Sequence, residues 1–221
     1  EGEELQASVT FVPGGEQELD SASLDFDGLS LKSDAGWTSS IQQLRLATRQ
    51  SDRREGWRDV GLDVVGLKPR SAVIERLAGA GLVPDTVDAL KADLSVAFDQ
   101  PWNRQALEAD RPQPRKIEIH EIAAKWGELE LRVAGDLSVA ETGIVSGEVM
   151  VKSTNWREML ELGVRFGAIP ESFVGPIEST LTMLSGLAGR SDTLDIPLSF
   201  QNGRTRIGPL PIGRAPVLRL P

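Results

Sequence analysis

Few residues in this 221-residue chain are of a type that does chemistry. His120 is the only histidine, and it sits between Ile119 and Glu121 in a stretch that alternates like a strand. A lone imidazole can act as a general base near neutral pH. Without a second histidine or any cysteine, a zinc site would need a mostly carboxylate shell, which is unusual. The favoured reading is a solvated histidine whose side chain faces away from Ile117 and Ile119. Asp25-Phe-Asp27-Gly28 places two carboxylates at i and i+2, a spacing used in calcium loops. The fifth position of such a loop falls on Leu29, and the glutamate at position twelve is missing, so two acids at a strand end are the better reading.

No Gly-x-Ser-x-Gly elbow presents a serine nucleophile. Ser146-Gly147 and Ser185-Gly186 fall inside regular elements with no partnered base. Gly79-Ala-Gly81 matches neither a phosphate loop nor a dinucleotide fingerprint. Arg53-Arg54 and the trio Arg111, Arg115 and Lys116 are basic, but acids surround them. Metal and cofactor chemistry therefore has no signature, and a non-enzymatic protein is expected.

Composition narrows the classes further. A net charge of −9 disfavours a nucleic-acid partner, because phosphate binding needs a basic surface. Zero cysteines exclude disulfides and thiol catalysis. No run approaches the roughly 18 apolar residues of a membrane span. Five Trp, six Phe and no Tyr make an aromatic stacking platform for single-stranded nucleic acid or sugar improbable. The chain opens Glu-Gly-Glu-Glu rather than with Met, as expected of a form whose signal or anchor has been removed.

The elements that must position any site follow from period-2 alternation. Strands are expected at Leu5–Phe11, at Leu19–Phe26 ending on Asp27-Gly28, at Thr38–Thr48, at Trp57–Leu67 and near Leu90–Phe98. A meander follows: Ile117 and Ile119 lead a strand that shifts face near Ile122, then Leu129 to Val139, then Val145 to Val151. Strands joined by short turns should be antiparallel. Leu194, Ile196, Leu198 and Phe200 alternate again, and Asn202-Gly203 is a strong hairpin signal because a type I′ turn needs two positive φ angles. Gly208-Pro-Leu-Pro-Ile-Gly213 is too rich in proline for a central ladder.

About three helices are expected. One lies at Ser71–Ala80. A second starts from an Asn155 N-cap and carries Trp156, Met159, Leu160 and Val164 on one face. Ile169-Pro170 ends it. A third runs to about Ala188, with Phe173, Ile177, Leu181, Leu184 and Ala188 inward, Pro176 near its start and Gly189 as its cap.

The predicted fold is α+β: a predominantly antiparallel, curved sheet of meanders with helices packed on one face. It forms a single domain over 1–221 that divides into two loosely similar halves, 1–112 and 113–221, joined through Pro101–Pro114. Many strands with one apolar face need a cover that three helices barely supply. The simpler reading is an ordinary core. The sharper one is that part of the sheet lines a groove for an acyl chain or another apolar ligand, with Trp156, Met159, Phe166, Phe173 and Met183 as its candidate residues. Core packing is the simpler reading of each residue taken singly.

Several segments together resemble the bacterial family catalogued as domain of unknown function 2125. They are Phe98-Asp-Gln-Pro-Trp102, Ala109-Asp-Arg-Pro-Gln-Pro114, Trp126-Gly-Glu-Leu-Glu-Leu-Arg132, Gly135-Asp-Leu, Asn155-Trp-Arg-Glu-Met-Leu160, Thr193-Leu-Asp-Ile-Pro-Leu198 and Ile207-Gly-Pro-Leu-Pro-Ile-Gly213. The resemblance implies a periplasm-facing envelope protein, anchored in its full-length form, with no activity to transfer. A looser pattern is similar to AsmA-like envelope proteins, which are associated with lipid transport. The expected function is a binding or scaffold protein whose sheet holds a lipid-like ligand. The alternative is an interaction module in envelope assembly that binds a protein partner through a sheet edge or the Pro-rich tail.

Overall fold

The computed structural model describes residues 4–14, 17–34, 36–70, 84–108, 111–165, 167, 169–188 and 193–220. Its frame is one antiparallel sheet of eleven strands in which spatial order follows chain order without a crossover. The strands are β1 (Glu4–Phe11), β2 (Leu19–Lys32), β3 (Thr38–Gln50), β4 (Trp57–Leu67), β5 (Val87–Phe98), β6 (Pro114–Trp126), β7 (Leu129–Val139), β8 (Val145–Thr154), β9 (Thr193–Gln201), β10 (Arg204–Ile207) and β11 (Leu210–Arg214). Three α-helices accompany them among the described residues: α1 (Arg104–Glu108), α2 (Trp156–Arg165) and α3 (Val174–Ala188), the last preceded by a 3₁₀ turn at Glu171–Phe173. The expected antiparallel α+β fold is what forms.

Register sorts the two faces. Leu5, Phe26, Leu44, Val64, Leu90, Ala124, Leu131, Ser153 and Leu194 pair in turn, one per strand from β1 to β9. One step along, Ala7, Leu24, Leu46, Leu62, Ala92, Ile122, Val133, Val151 and Ile196 form a second row on the same face. The row between them belongs to the other face and reads Gln6, Asp25, Arg45, Asp63, Lys91, Ala123, Arg132, Lys152 and Asp195. Alternation within each strand thus becomes one apolar face and one charged face across the whole sheet. Cross-strand ion pairs such as Arg45–Asp25 at 3.4 Å and Lys152–Asp195 at 3.7 Å lace the charged face. Exposed pairs of this kind each contribute about 0.2–1 kcal/mol.

Several expectations need correction. β2 does not stop at Asp27-Gly28; it runs on to Lys32, with Gly28 at φ 66° inside the strand. Asn155 does not cap α2 with its side chain. Its backbone takes φ 56°, its carbonyl accepts from the Met159 N–H at 3.2 Å, and its amide Nδ2 donates to the Glu128 carbonyl at 3.1 Å. The connection at Pro101–Pro114 contains α1, which the sequence did not signal. The Pro-rich segment supplies an edge strand, β11, where Pro211 costs no central hydrogen bond. The helix expected at Ser71–Ala80, the inward Leu184 and Ala188 side chains and the Gly189 cap lie outside the described residues. Asn202 and Gly203, at φ 53° and 71°, make the expected β9–β10 hairpin.

The face shift near Ile122 is a β-bulge. Ile119 pairs with Gly135 and Ile122 with Val133, so β6 carries one extra residue there. His120 has no partner in the register with either neighbouring strand, which makes it the extra residue. The bulge lets Ile117, Ile119, Ile122 and Ala124 share one face despite their odd spacing.

Two glycines let β7 and β8 approach closely. Gly135 (φ 148°) and Gly147 (φ 131°) adopt conformations that L-residues avoid. A Cβ on Gly135 would lie 2.4 Å from the Glu148 carbonyl oxygen, and one on Gly147 2.2 Å from that of Asp136. Gly135→Ala should therefore lower the unfolding free energy by about 2 kcal/mol or more. Gly61→Ala, where an added Cβ meets nothing within 4 Å, should be neutral or stabilising by up to about 1 kcal/mol. Urea midpoints of the two variants against the parent chain check the contrast.

Candidate functional site

Helices α2 and α3 lie on the apolar face at its β7–β11 end, and between them and the sheet is a cavity of about 560 Å³. Pockets that take small molecules measure roughly 300–1,000 Å³. α2 contributes Trp156, Met159 and Leu160, and α3 contributes Ile177 and Leu181. Ile169 joins them from the turn between the helices. The floor is Leu131, Val133 and Leu137 of β7, Val149 and Val151 of β8, Ile196, Leu198 and Phe200 of β9, and Ile207 and Ile212 beyond, with Ile119 of β6 at the margin.

Local sequence explains the arrangement. Trp156, Leu160 and Ile177, Leu181 fall at i, i+4 spacing, so each helix turns one apolar stripe down. Trp156, at 2% exposed, is the anchor of a core cluster with Leu160, Ile177, Leu181, Leu194 and Ile207. Several floor residues, among them Leu131, Val133, Val151, Ile196 and Leu198, are only half-buried. The described helix side chains leave part of the space in front of them open. Gly135 and Gly147, which share the floor's side of β7 and β8, add no side chain there.

Among the described lining residues Ser153 is the single polar one, and its hydroxyl is turned toward the Met159 sulfur at 3.6 Å. A wall of this kind offers water none of the two to four polar partners it needs. It offers an apolar ligand about 0.8 kcal/mol for each buried methylene. The described lining can therefore select by apolar volume.

The expected groove residues divide. Trp156 and Met159 line the cavity. Phe173 is half-buried against the core cluster and borders a separate small cleft near Asn202 and Pro211. Met183 is 63% exposed on α3 and stands outside the cavity. Phe166 lies outside the described residues. The floor residues escaped selection although their alternation was plain, because a strand face does not announce which part of it a helix will leave unfilled.

The residues with chemical potential are structurally engaged. Ser95 is buried; its Oγ donates to Asp59 Oδ1 at 2.9 Å and lies 2.9 Å from His120 Nε2. Serine, histidine and aspartate meet, but the Ser95 hydroxyl lies between the carboxylate and the imidazole, whereas a nucleophilic triad places the imidazole between the other two. The bulge is what aims His120 at Ser95, so this histidine is tied rather than merely solvated. Asp25 pairs with Arg45, and Asp27 accepts from Gln43 Nε2 at 3.0 Å.

A second cleft of about 530 Å³ lies at the end of β4 and β5, between Trp57, Phe98 and Trp102. Its polar groups satisfy one another. Arg58, 5% exposed, donates to the Leu19 carbonyl at 2.7 Å, the Asp20 carbonyl at 2.9 Å and Thr48 Oγ1 at 3.3 Å. Burial pushes its guanidinium pKa down, against the pull of Asp20 and Glu18. Gln50 binds Glu18, and Arg115 binds Asp99. The indole N–H of Trp102 is, among the described residues, the buried side-chain polar atom without a partner.

Arg54 stacks 3.8 Å from the centre of the Trp57 ring and grips Glu118 of β6 with both guanidinium nitrogens. The Arg54 hydrogen bonds hold the Glu118 carboxyl below the usual carboxylate range. A carboxyl depressed on folding stabilises above its unfolded pKa, and that stability is lost as pH falls through the folded value. The pair is about one-third exposed, so the effect is small. Glu118→Gln should be the less stable protein at neutral pH, and the gap should close as pH falls into the acid range, as denaturant midpoints at a series of pH values will show.

No helix among the described residues is long and apolar enough to cross a membrane. Neither any curated protein nor any solved structure matches the chain. A family model described as an uncharacterized protein conserved in bacteria (DUF2125) matches residues 2–216, and the chain belongs to that bacterial family.

Proposed function

We propose that this protein is a non-enzymatic binding protein that holds an apolar, lipid-like chain between its sheet and the α2–α3 pair. One observation carries the reading: a cavity of ligand size whose described lining is eighteen residues, seventeen of them apolar. A wall without convergent polar groups supports binding by burial rather than catalysis. The family resemblance supports an envelope location facing the periplasm, and cell fractionation of the full-length protein tests that part separately.

The alternative, partner binding through the Pro-rich tail, has less support. The described tail is bonded to its own chain: Pro216 C=O accepts from Val145 N–H at 3.1 Å, and Leu218 N–H donates to the Gly143 carbonyl at 2.9 Å. Leu220 N–H donates to Gln113 Oε1 at 2.9 Å.

Trp156 gives a direct readout. A brominated fatty acid should quench its fluorescence, and Trp156→Phe should remove most of the signal. Val151→Phe, which adds bulk inside the cavity, should weaken uptake by about tenfold or more, whereas Met183→Ala on the outer face should leave it unchanged. A delipidated protein that takes up no fatty acid, together with a clean apo mass in native mass spectrometry, would sink the proposal.

A further inference from the structure

Natural sheets guard their open edges with charge, proline, bulges or short strands. The β11 edge is guarded: it is five residues long and contains Pro211 and Arg214. The β1 edge is not. From Leu5 to Phe11 it reads Leu-Gln-Ala-Ser-Val-Thr-Phe, with no charge and no proline. Its register with β2 is regular from Glu4 to Thr10, and the single irregularity falls after Thr10, where β2 carries the extra residue. On its other side β1 has no strand partner among the described residues. Its apolar-face residues Leu5, Val9 and Phe11 are 59%, 55% and 53% exposed.

We propose that β1 pairs antiparallel with β1 of a second copy of this chain, about a two-fold axis at Ser8. The sequence of the strand selects that occupant and that register. Centred on Ser8, Leu5 stands opposite Phe11 of the second copy, Ala7 opposite Val9, and Gln6 opposite Thr10. Apolar meets apolar on one face and polar meets polar on the other, and no two charges are opposed. A one-residue slip in one direction would set every apolar side chain of the strand against a polar or charged one, and in the other it would spare only Leu5, opposite Val12. Moving the centre to Val9 brings Pro13 into the ladder opposite Leu5. The Ser8-centred arrangement is closed and isologous, so it ends at a dimer and does not propagate. It joins the apolar faces of the two sheets into one surface and withdraws Leu5, Val9 and Phe11 from water.

The absence of cysteine makes the test direct. Directly opposed residues of an antiparallel pair have Cα atoms roughly 4.5–5.5 Å apart, within the range a disulfide spans. Ser8→Cys should therefore yield a covalent dimer under mild oxidation, while Ser146→Cys, exposed on β8 away from either edge, should not. Sedimentation velocity over a concentration series should show the parent chain as a dimer. Val9→Lys, a substitution on an exposed side chain, should raise the dimer dissociation constant at least about tenfold, with an unchanged thermal midpoint at concentrations low enough that both chains are monomeric. A parent chain that stays monomeric at every concentration overturns the proposal. So does a dimer that neither weakens with Val9→Lys nor cross-links through position 8.

Discussion

The structure depends on parity. Every residue of an antiparallel ladder shares a face with the residue opposite it, so ten consecutive pairings transmit one choice of face from β1 to β11. The choice is made by the apolar rows, because moving either into water would expose a side chain on nearly every strand. The His120 bulge shows how strictly it is kept. β6 has an odd count between Ile119 and Ile122, and the strand extrudes one residue rather than turn Ile122 and Ala124 to the charged side. The side chain that is extruded then finds Ser95 on that side. A local histidine contact is thus a by-product of a sheet-wide constraint.

Parity also decides what the helices can do. A face built from eleven strands is wider than two helices, and α2 and α3 cover only one end of it. They enter the chain between β8 and β9, which pair directly, so the excursion must fold back over its own neighbours. Trp156 and Leu160 from one side and Ile177 and Leu181 from the other anchor it. Between the anchors the sheet is floored by valine, leucine and isoleucine, several of them only half-buried. The cavity is what remains when two stripes of i, i+4 residues meet a broader apolar surface.

Much of this was legible in the sequence, and the parts that were not share a cause. Alternation placed the strands because the period-2 signal is local, and Asn202-Gly203 placed the last hairpin because positive φ at two positions suits few other residues. Ile122 was visible as a change of phase. Continuation of β2 through Gly28 was not, since a glycine before a leucine reads as a turn unless the partner strand is known. The Asn155 side chain looked like a cap but serves Glu128, a partner 27 residues upstream. Met183 shared a helix with true cavity residues, yet the facing of α3 is set by Ile177 and Leu181. Arg58 gave no signal at all: its burial depends on the carbonyls of Leu19 and Asp20, which only the β2–β3–β4 pairing brings to it.

The family's motifs take on a physical meaning in this frame. Gly135-Asp-Leu marks the point where β7 and β8 come too close for any Cβ. Trp126-Gly127 closes the β6–β7 turn, the indole N–H bound to the Pro84 carbonyl at 2.7 Å and the Gly127 N–H to Asp88 at 2.6 Å. Phe98 and Trp102 meet edge to face at 5.3 Å where the chain leaves β5. Each holds a turn, a crossing or an exit from the sheet, and none supplies a reacting group. Where a cavity's described lining is apolar but for Ser153, shape is the property that a ligand would read, so these structural segments and a binding role would make the same demand on the sequence.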